Sequence, residues 1–261
     1  MNTLDIKTEL TDGLKFDYPP TLYKYRDWGN NYHKEVLTNS TLYLASPSSF
    51  EDIKDCNVPE KFPQKQKLYK FFLEKSKKDN PTWSRKAHRQ FATYWSIHSP
   101  LANPQKLQKL LDEFNDEFNN RFGVLSMTAN KENEEMWSKY ANEDKGFCVG
   151  YDTDMLFKYV GGGGPVQYAD ELPTIDFVKD DFTTKHVKNI FYKERKWDFE
   201  EEYRLHMMWP QTATTEQRNI KLPEDCVVEI IIGKFMSKES KDEIKKIAKE
   251  KYPKAKLIER T

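Results

Sequence analysis

The sequence has few cysteines and no net charge. Its three cysteines, Cys56, Cys148 and Cys226, are far apart and form no CxxC pair. Because disulfide frameworks and cysteine zinc sites need paired cysteines, we expect neither, and a reducing cytoplasm is the expected location. Lys plus Arg is 42 and Asp plus Glu is also 42, so no overall field favours nucleic acid or membrane.

Long apolar runs and the common catalytic motifs are also missing. No apolar run approaches the ~20 residues of a membrane span, and the opening MNTLDIKTEL lacks the apolar core of a signal peptide. There is no HExxH motif and no GxSxG elbow, and the five histidines are scattered. We therefore predict no metal site, and nucleophilic catalysis by a serine or cysteine has little support.

Aromatic residues, at 14%, favour a folded core even though 32% of the residues are charged. After a lead-in at residues 1–20, strands are predicted at 21–26, 41–45, 124–128, 146–151, 203–209, 227–232 and 255–259. Helices are predicted at 32–38, 134–141, 185–196 and 237–252. Between 60 and 121 apolar residues recur every three or four positions, as in Leu107, Leu110, Leu111, Phe114, Phe118 and Phe122. The sequence predicts one α+β domain over residues 1–261, with a central mixed or antiparallel sheet and a helical insert at about 58–122.

Two segments have compositions that allow a plain and a functional interpretation. Ten basic residues lie between Lys61 and Arg89 against only Glu74 and Asp79. A solvated helical face accounts for them, and so does a surface for a phosphate backbone or an acidic partner. Four glycines at 161–164 are expected to form a flexible loop, since no Walker lysine or GxGxxG spacing follows them.

The stretch WDFEEEYR at 197–204 carries the most informative charges. If it is extended, Glu200, Glu202 and Arg204 point to one face, while Phe199 and Tyr203 pack on the other. Such a cluster can hold a hydroxyl, stabilise a cationic transition state or tune one carboxylate's pKa. A solvated edge strand with Glu–Arg pairs is the plain alternative.

Three groups of polar residues suggest one chemistry. Cationic Lys24 and Arg26 would hold a pyrophosphate, the hydroxyls of the 124–128 strand would fix a ribose, and a carboxylate would stabilise an oxocarbenium ion. A second possibility is a Mg²⁺-dependent nuclease in which Asp52 and Asp55 act with the two glutamates, although an Asx-turn explains that pair as well. A third is a partner-binding module without enzymatic activity.

Several segments resemble a known family. They are LYKYR at 22–26, LYLASPSSFEDIKDC at 42–56, GVLSMT at 123–128, MWSKYANEDKGFCVGYD at 136–152, VQY at 166–168 and KWDFEEEYR at 196–204. In this order they are similar to the bacterial domain of unknown function 2971, which implies no settled activity. The family usually has Phe-Asn-Asp-Pro-Phe-Asp where this chain has FEDIKD at 50–55, which argues against a role for Glu51.

The chain also resembles the ADP-ribosyltransferase superfamily, in which an arginine, a Ser-Thr-Ser-like strand and Glu-x-Glu follow in order. The matching positions are Arg26, Ser126, Thr128, Glu200 and Glu202.

This second resemblance implies a role for each candidate residue. Arg26 or Lys24 would contact NAD phosphates, and Ser126 and Thr128 would shape the nicotinamide–ribose pocket. Glu202 would bond the ribose 2′-hydroxyl and Glu200 would position the acceptor, with Arg204 in the same binding set. The implied function is a cytoplasmic bacterial NAD-using transferase or glycohydrolase of toxin or antiviral defence type, with a protein or nucleic acid as acceptor.

Overall fold

A computed structural model describes residues 18–261, so most of the lead-in predicted at 1–20 lies outside the described residues. In chain order the strands are β1 Thr21–Arg26, β2 Thr41–Tyr43, β3 Glu60–Lys61, β4 Phe122–Thr128, β5 Phe147–Asp152, β6 Gly163–Pro165, β7 Gln167–Ala169, β8 Ile175–Asp176, β9 Tyr192–Glu194, β10 Glu202–Met208, β11 Asn219–Lys221, β12 Val227–Ile232 and β13 Lys256–Glu259. The helices are α1 Asn31–Thr38, α2 Leu68–Asp79, α3 Arg85–His98, α4 Pro104–Arg121, α5 Glu134–Tyr140, α6 Thr153–Val160, α7 Phe182–Phe191, α8 Thr215–Arg218 and α9 Lys238–Lys251. Across residues 18–261, every helix is too short or too polar to cross a membrane.

Seven strands form one mixed sheet in the order β13-β12-β5-β1-β4-β10-β6. Neighbouring strands are antiparallel except β12 and β13, which are parallel and joined by α9. The predicted α+β class and mixed sheet are therefore confirmed. The strands that contain Leu22, Val124 and Tyr203 share this sheet, as the alternation of their residues indicated.

The two halves of the sheet separate between β1 and β4. Their pairing has the single register pair Tyr23 opposite Thr128, whereas β1 pairs with β5 along its whole length. Further along β4, the backbone of Val124 bonds to Ala45 instead. The sheet is open at its centre as a result, and side chains of β1 and β4 border the opening.

Apolar faces of helices cover both sides of the sheet. On one side α1, α6 and α9 supply Leu37, Leu156 and Ile244 to the largest buried cluster. On the other side α5 packs Trp137 against Tyr25, with ring centroids 5.0 Å apart. Because each strand alternates its side chains between these two layers, the central strands are buried on both faces.

The helical insert predicted at about 58–122 contains α2, α3 and α4. Helices α2 and α3 form an apolar cluster of their own around Leu68, Phe72 and Ala92. Helix starts follow the sequence, since the Ser84 and Asn103 side chains accept hydrogen bonds from the first turns of α3 and α4. Helix α4 then runs directly into β4 and connects the insert to the sheet.

The flexible loop predicted over the four glycines is wrong for Gly163 and Gly164, while Gly161 and Gly162 precede the strand. Gly163 lies in strand β6 and pairs with Leu205 of β10. A Cβ atom on Gly163 would lie 2.5 Å from the carbonyl oxygen of Arg204, so close approach of the backbones requires glycine there.

The helix predicted at 185–196 ends five residues early, at Phe191. The chain continues as strand β9 and then as a 3₁₀ helix, Arg195–Glu200. Pairing of β9 with β7 provides hydrogen bonds that the local sequence pattern does not reveal. Because residues 192–194 form a strand and not a helix, the Lys193 side chain is buried in the interior.

Candidate functional site

A cleft of about 240 Å³ lies where β1 and β4 separate. Lys24, Arg26 and Ser126 border it from the sheet, and the segment 49–55 borders it from above. The opposite side is formed by Lys193, Trp197, Glu200 and Glu202, together with Lys139 and Tyr140 of α5. The structure thus brings five of the seven predicted site residues to one cleft: Lys24, Arg26, Ser126, Glu200 and Glu202.

The side of the cleft formed by Asp55, Glu200 and Glu202, here called the carboxylate wall, is organised by Lys193. Lys193 Nζ lies 2.5 Å from Glu200 Oε2, 3.1 Å from Glu202 Oε2 and 3.3 Å from Asp55 Oδ2. All four side chains are at least 90% buried. Burial lowers the pKa of Lys193, but the three carboxylates outweigh it and raise that pKa. The wall is therefore a fixed cluster around one buried ammonium group.

Arg204 supports the same wall from behind. Its guanidinium donates to both oxygens of Glu202, from Nε at 2.7 Å and from Nη2 at 2.9 Å. It also pairs with Asp55 Oδ1 at 2.6 Å and donates to the Ile190 carbonyl at 2.7 Å. Burial raises the pKa of Glu202, but Arg204 and Lys193 reverse this and lower it to about 2. Glu202 is consequently a carboxylate at every physiological pH.

Two tyrosines fix the glutamates. The Tyr140 hydroxyl donates to Glu200 Oε1 at 2.5 Å, and the Tyr168 hydroxyl accepts from the backbone N–H of Glu202 at 2.9 Å. Burial and the nearby Glu200 raise the pKa of Tyr140, so its proton stays on the phenol. An ionised carboxylate has about four acceptor positions, so Glu200, with two donors, can still accept from a ligand.

The β1 side of the cleft, Lys24 and Arg26, is here called the cationic wall. Lys24 Nζ donates to the Ser126 carbonyl, and within residues 18–261 neither side chain pairs with a carboxylate. Burial lowers the pKa of Lys24 and, with no carboxylate to offset it, lowers that of Arg26 to about 10. Within the same residues the buried Arg26 Nε has no hydrogen-bond partner. A bound anion would favour the protonated form of Lys24 and would relieve the cost of keeping the Arg26 charge desolvated.

Two predicted binding residues do not border the cleft. Thr128 is buried and its hydroxyl accepts from the Asn130 N–H at 3.1 Å, which is a local turn contact. Arg204 has no exposed surface, and it contacts the carboxylate wall through Glu202 and Asp55. Ser126 does border the cleft, and its hydroxyl lies beside Glu202 without a well-formed hydrogen bond.

The route by which the glutamates meet differs from the prediction of a continuous strand. Glu200 ends the 3₁₀ helix, and Glu201 adopts a left-handed conformation with φ of 44°. This turn lets Glu200 and Glu202 both face inward, while Arg204 follows Glu202 on the same face of β10. The predicted cluster is present, but a turn and not an extended chain creates it.

Lys193, Tyr140 and Trp197 were not recognised as site residues from the sequence. The sequence predicts Lys193 in a helix, and a helix at that position does not direct its side chain toward the glutamates. In strand β9 it is buried, while its neighbours Tyr192 and Glu194 are less so. The one signal available was a strand-like alternation too short to predict.

Asp52, proposed as a metal ligand, is engaged elsewhere. It accepts from the Trp197 indole N–H at 2.8 Å and from the Lys54 backbone N–H at 3.0 Å, which is an Asx-turn. Lys193 Nζ fills the space between the other three carboxylates. In the part of the chain that the structure describes, no group of three or more His, Cys, Asp or Glu side chains is arranged to hold a metal ion.

The chain matches no protein-family model, no curated protein and no solved structure. The resemblances carried by its short segments therefore stay predictions. What the molecule does has to follow from the charges and shape of its cleft.

Proposed function

We propose that the protein uses NAD as a substrate, as an ADP-ribosyltransferase-like enzyme or a NAD glycohydrolase of bacterial toxin or defence type. The observation that carries this proposal is the meeting of two unlike walls across one cleft. Within residues 18–261 no carboxylate forms an ion pair with the cationic wall, and in the carboxylate wall Arg204 and Lys193 hold Glu202 ionised. A molecule with a diphosphate and a sugar that becomes cationic during reaction uses both walls.

The size of the cleft suggests which part of NAD it would hold. Sites for drug-sized ligands measure roughly 300–1,000 Å³, and this cleft is about 240 Å³. It suits the nicotinamide–ribose end, with the remainder of the dinucleotide lying toward the mouth. Arg26 and Lys24 would contact the diphosphate, and Ser126 would border the ribose and nicotinamide.

The chemistry of the proposal is cleavage of the bond between the ribose C1′ and the nicotinamide nitrogen. The electron pair of that bond leaves with nicotinamide, and positive charge develops on the ribose. Glu202 would accept a hydrogen bond from the 2′-hydroxyl, and its fixed negative charge would stabilise that ribose. Glu200 would orient the attacking water or acceptor hydroxyl and accept its proton.

The nuclease alternative requires a rearrangement of the carboxylate wall. A Mg²⁺ ion bound by Asp55, Glu200 and Glu202 would have to displace Lys193 Nζ, which lies 2.5–3.3 Å from all three. In the basic segment from Lys61 to Arg89, Lys70 and Lys75 pair with Glu74 and Asp79 one turn away. These pairs support a solvated face on α2 more than a nucleic-acid surface there.

The test is a comparison of NAD consumption and nucleic-acid cleavage, with and without EDTA. Glu202→Gln keeps the shape of the side chain and removes its charge. Loss of one such charged contact should cost about 3–4 kcal/mol of barrier, a few hundredfold in rate. Glu201→Gln is the matched control, because Glu201 is adjacent and exposed, and its side chain accepts a hydrogen bond from Asn130 Nδ2.

We expect EDTA-insensitive NAD loss in the wild type and in Glu201→Gln, and none measurable in Glu202→Gln. Thermal melting of each variant separates loss of charge from loss of fold. Metal-dependent cleavage of nucleic acid with NAD untouched would replace the proposal with the nuclease. Absence of both activities, with candidate acceptors supplied, would favour the binding module.

A further inference from the structure

The outer face of α3 combines exposed rings with cations that have no ion-pair partner within residues 18–261. From 80 to 111 the sequence has no acidic residue, and α3 itself carries Arg85, Lys86 and Arg89. The ion pairs of the insert belong to α2 and α4. Across residues 18–261 no carboxylate pairs with a cation of α3, so its positive charge is not neutralised locally.

Exposed rings and apolar groups lie on the same face as these cations. Tyr94 is 56% exposed and Ile97 is 65% exposed, although α3 buries His88 and Ala92 against α2 on its inner side. The Tyr94 and His98 rings lie 4.5 Å apart with a 35° tilt. This face is open, and α3 alone supplies the side chains that line it, from Arg85 to His98.

The geometry points to single-stranded nucleic acid as the occupant of this face. We propose that α3 binds it through phosphate contacts from Arg85, Lys86 and Arg89 and through base stacking on Tyr94. Arg85 and Arg89 are one helical turn apart, and the face from Arg85 to His98 is about 20 Å long, enough for a few nucleotides. A polyanion with flat bases satisfies both the free cations and the exposed rings, whereas an acidic peptide would leave the rings without a stacking partner.

This inference is independent of the cleft and does not need NAD chemistry. It restricts the surface predicted between Lys61 and Arg89 to the end of that segment that lies in α3, and adds the rings that follow it, Tyr94 and His98. In α2 Lys70 pairs with Glu74 and Lys75 with Asp79, while α3 presents exposed rings together with cations that are unpaired across the described part of the chain. The two helices can therefore be compared directly within one protein.

The test is fluorescence anisotropy with labelled twelve-nucleotide oligo-dT and oligo-U at several salt concentrations, using the full chain. Replacing Arg85, Lys86 and Arg89 together with Gln should weaken binding at least tenfold and reduce the salt slope by about 2, at about 0.7 per phosphate contact on a single strand. Tyr94→Ala should weaken binding about tenfold by loss of stacking. The control replaces Lys70 and Lys75 of α2, which are paired with Glu74 and Asp79, with Gln and should change affinity less than twofold.

Circular dichroism of each variant checks that the exposed substitutions leave the fold intact. Equal losses in the α2 and α3 variants would overturn the proposal, because general charge and not this face would then drive binding. So would absence of oligonucleotide binding at low salt. Tighter binding of an oligo-glutamate peptide than of the oligonucleotides would show that the partner is an acidic protein instead.

Discussion

Lys193 Nζ lies among three buried carboxylates. Within residues 18–261 no other cation forms an ion pair with Glu200. Replacing Lys193 with Met would leave Glu200 without a positive partner and Asp55 and Glu202 with Arg204 alone. Breaking a buried pair in this way typically costs about 3–5 kcal/mol. Urea unfolding at pH 7 should show a loss of that size in the free energy of unfolding.

Lys196 offers a matched control three residues away. It contacts Asp52 at 3.0 Å and Glu194 at 2.7 Å, but its side chain is 56% exposed. Exposed pairs contribute about 0–1 kcal/mol, so Lys196→Met should change stability little. Similar losses of stability for the two variants would mean that the buried lysine of the carboxylate wall contributes no more than an exposed lysine does.

Arg26 should affect substrate binding more than the chemical step. Because it would hold the diphosphate equally in the ground state and the transition state, Arg26→Ala should raise KM for NAD about 10–100-fold and leave kcat within about threefold. Initial-rate kinetics measure both. Exposed Arg195, paired with Asp170, is the control, and Arg195→Ala should alter neither. A fall in kcat at unchanged KM would contradict the assignment of Arg26.

At the scale of elements, the residues that alternate or recur regularly allowed accurate prediction. The strand at Thr21–Arg26 and the strand at Val227–Ile232 have the predicted bounds. Elements that form only by pairing with a distant strand were not predicted from the sequence. Strand β6 exists because β10 pairs with it, and its glycines alone indicate only a loop.

The candidate site shows the same division. The polar residues of β1, β4 and β10 were placed together because their order along the chain matched a known arrangement. Lys193 was missed because its strand β9 has only three residues and forms beside β7. Thr128 was predicted as a site residue because it shares a face of the strand with Ser126. It is buried where β4 still pairs with Tyr23 of β1, and so it lies outside the opening between the two strands.

Arg218 connects the insert to the sheet and should be needed for that connection. Its guanidinium donates to the carbonyls of Phe122 at 2.7 Å, Asn119 at 3.0 Å and Asn120 at 3.0 Å, where α4 ends and β4 begins. Arg218→Met would remove all three hydrogen bonds. Ser46 Oγ and the Ala213 N–H would still donate to the Asn119 and Asn120 carbonyls, so the cost should be about 1–3 kcal/mol. Chemical denaturation measures the loss, and Arg195→Met, an exposed arginine, should lose under about 1 kcal/mol.

For the whole molecule, three histidines predict instability in mild acid. Burial lowers the pKa of His33 and His206 to about 4, with Arg26 adding to the effect on His33, and burial also lowers the pKa of His186. In the unfolded chain they titrate near 6.5, so the unfolded state binds protons first as the pH falls. The contribution of these histidines to the free energy of unfolding should be fully present above pH 6.5 and should be lost between pH 6.5 and about 4.

Carboxylates contribute in a different range. Glu202 and Asp52 have pKa values of about 2, so their contribution is present above about 4.5 and is lost only below that pH. Melting temperatures between pH 7 and 4.5 therefore report mainly on the histidines. Between pH 7 and 4.5, His206→Gln should reduce the pH-dependent loss in the free energy of unfolding by about 2 kcal/mol. A curve for the variant that is parallel to the wild type would refute the assignment.

The central claim is that the cleft between β1 and β4 binds the reacting end of NAD. A crystal structure of Glu202→Gln grown with saturating NAD tests it most directly, because the variant should bind NAD without turning it over. We predict the nicotinamide ribose between Ser126 and residue 202, within hydrogen-bond distance of the introduced amide, and the diphosphate against Arg26 and Lys24. An empty cleft, or NAD bound elsewhere on the molecule, would contradict the account.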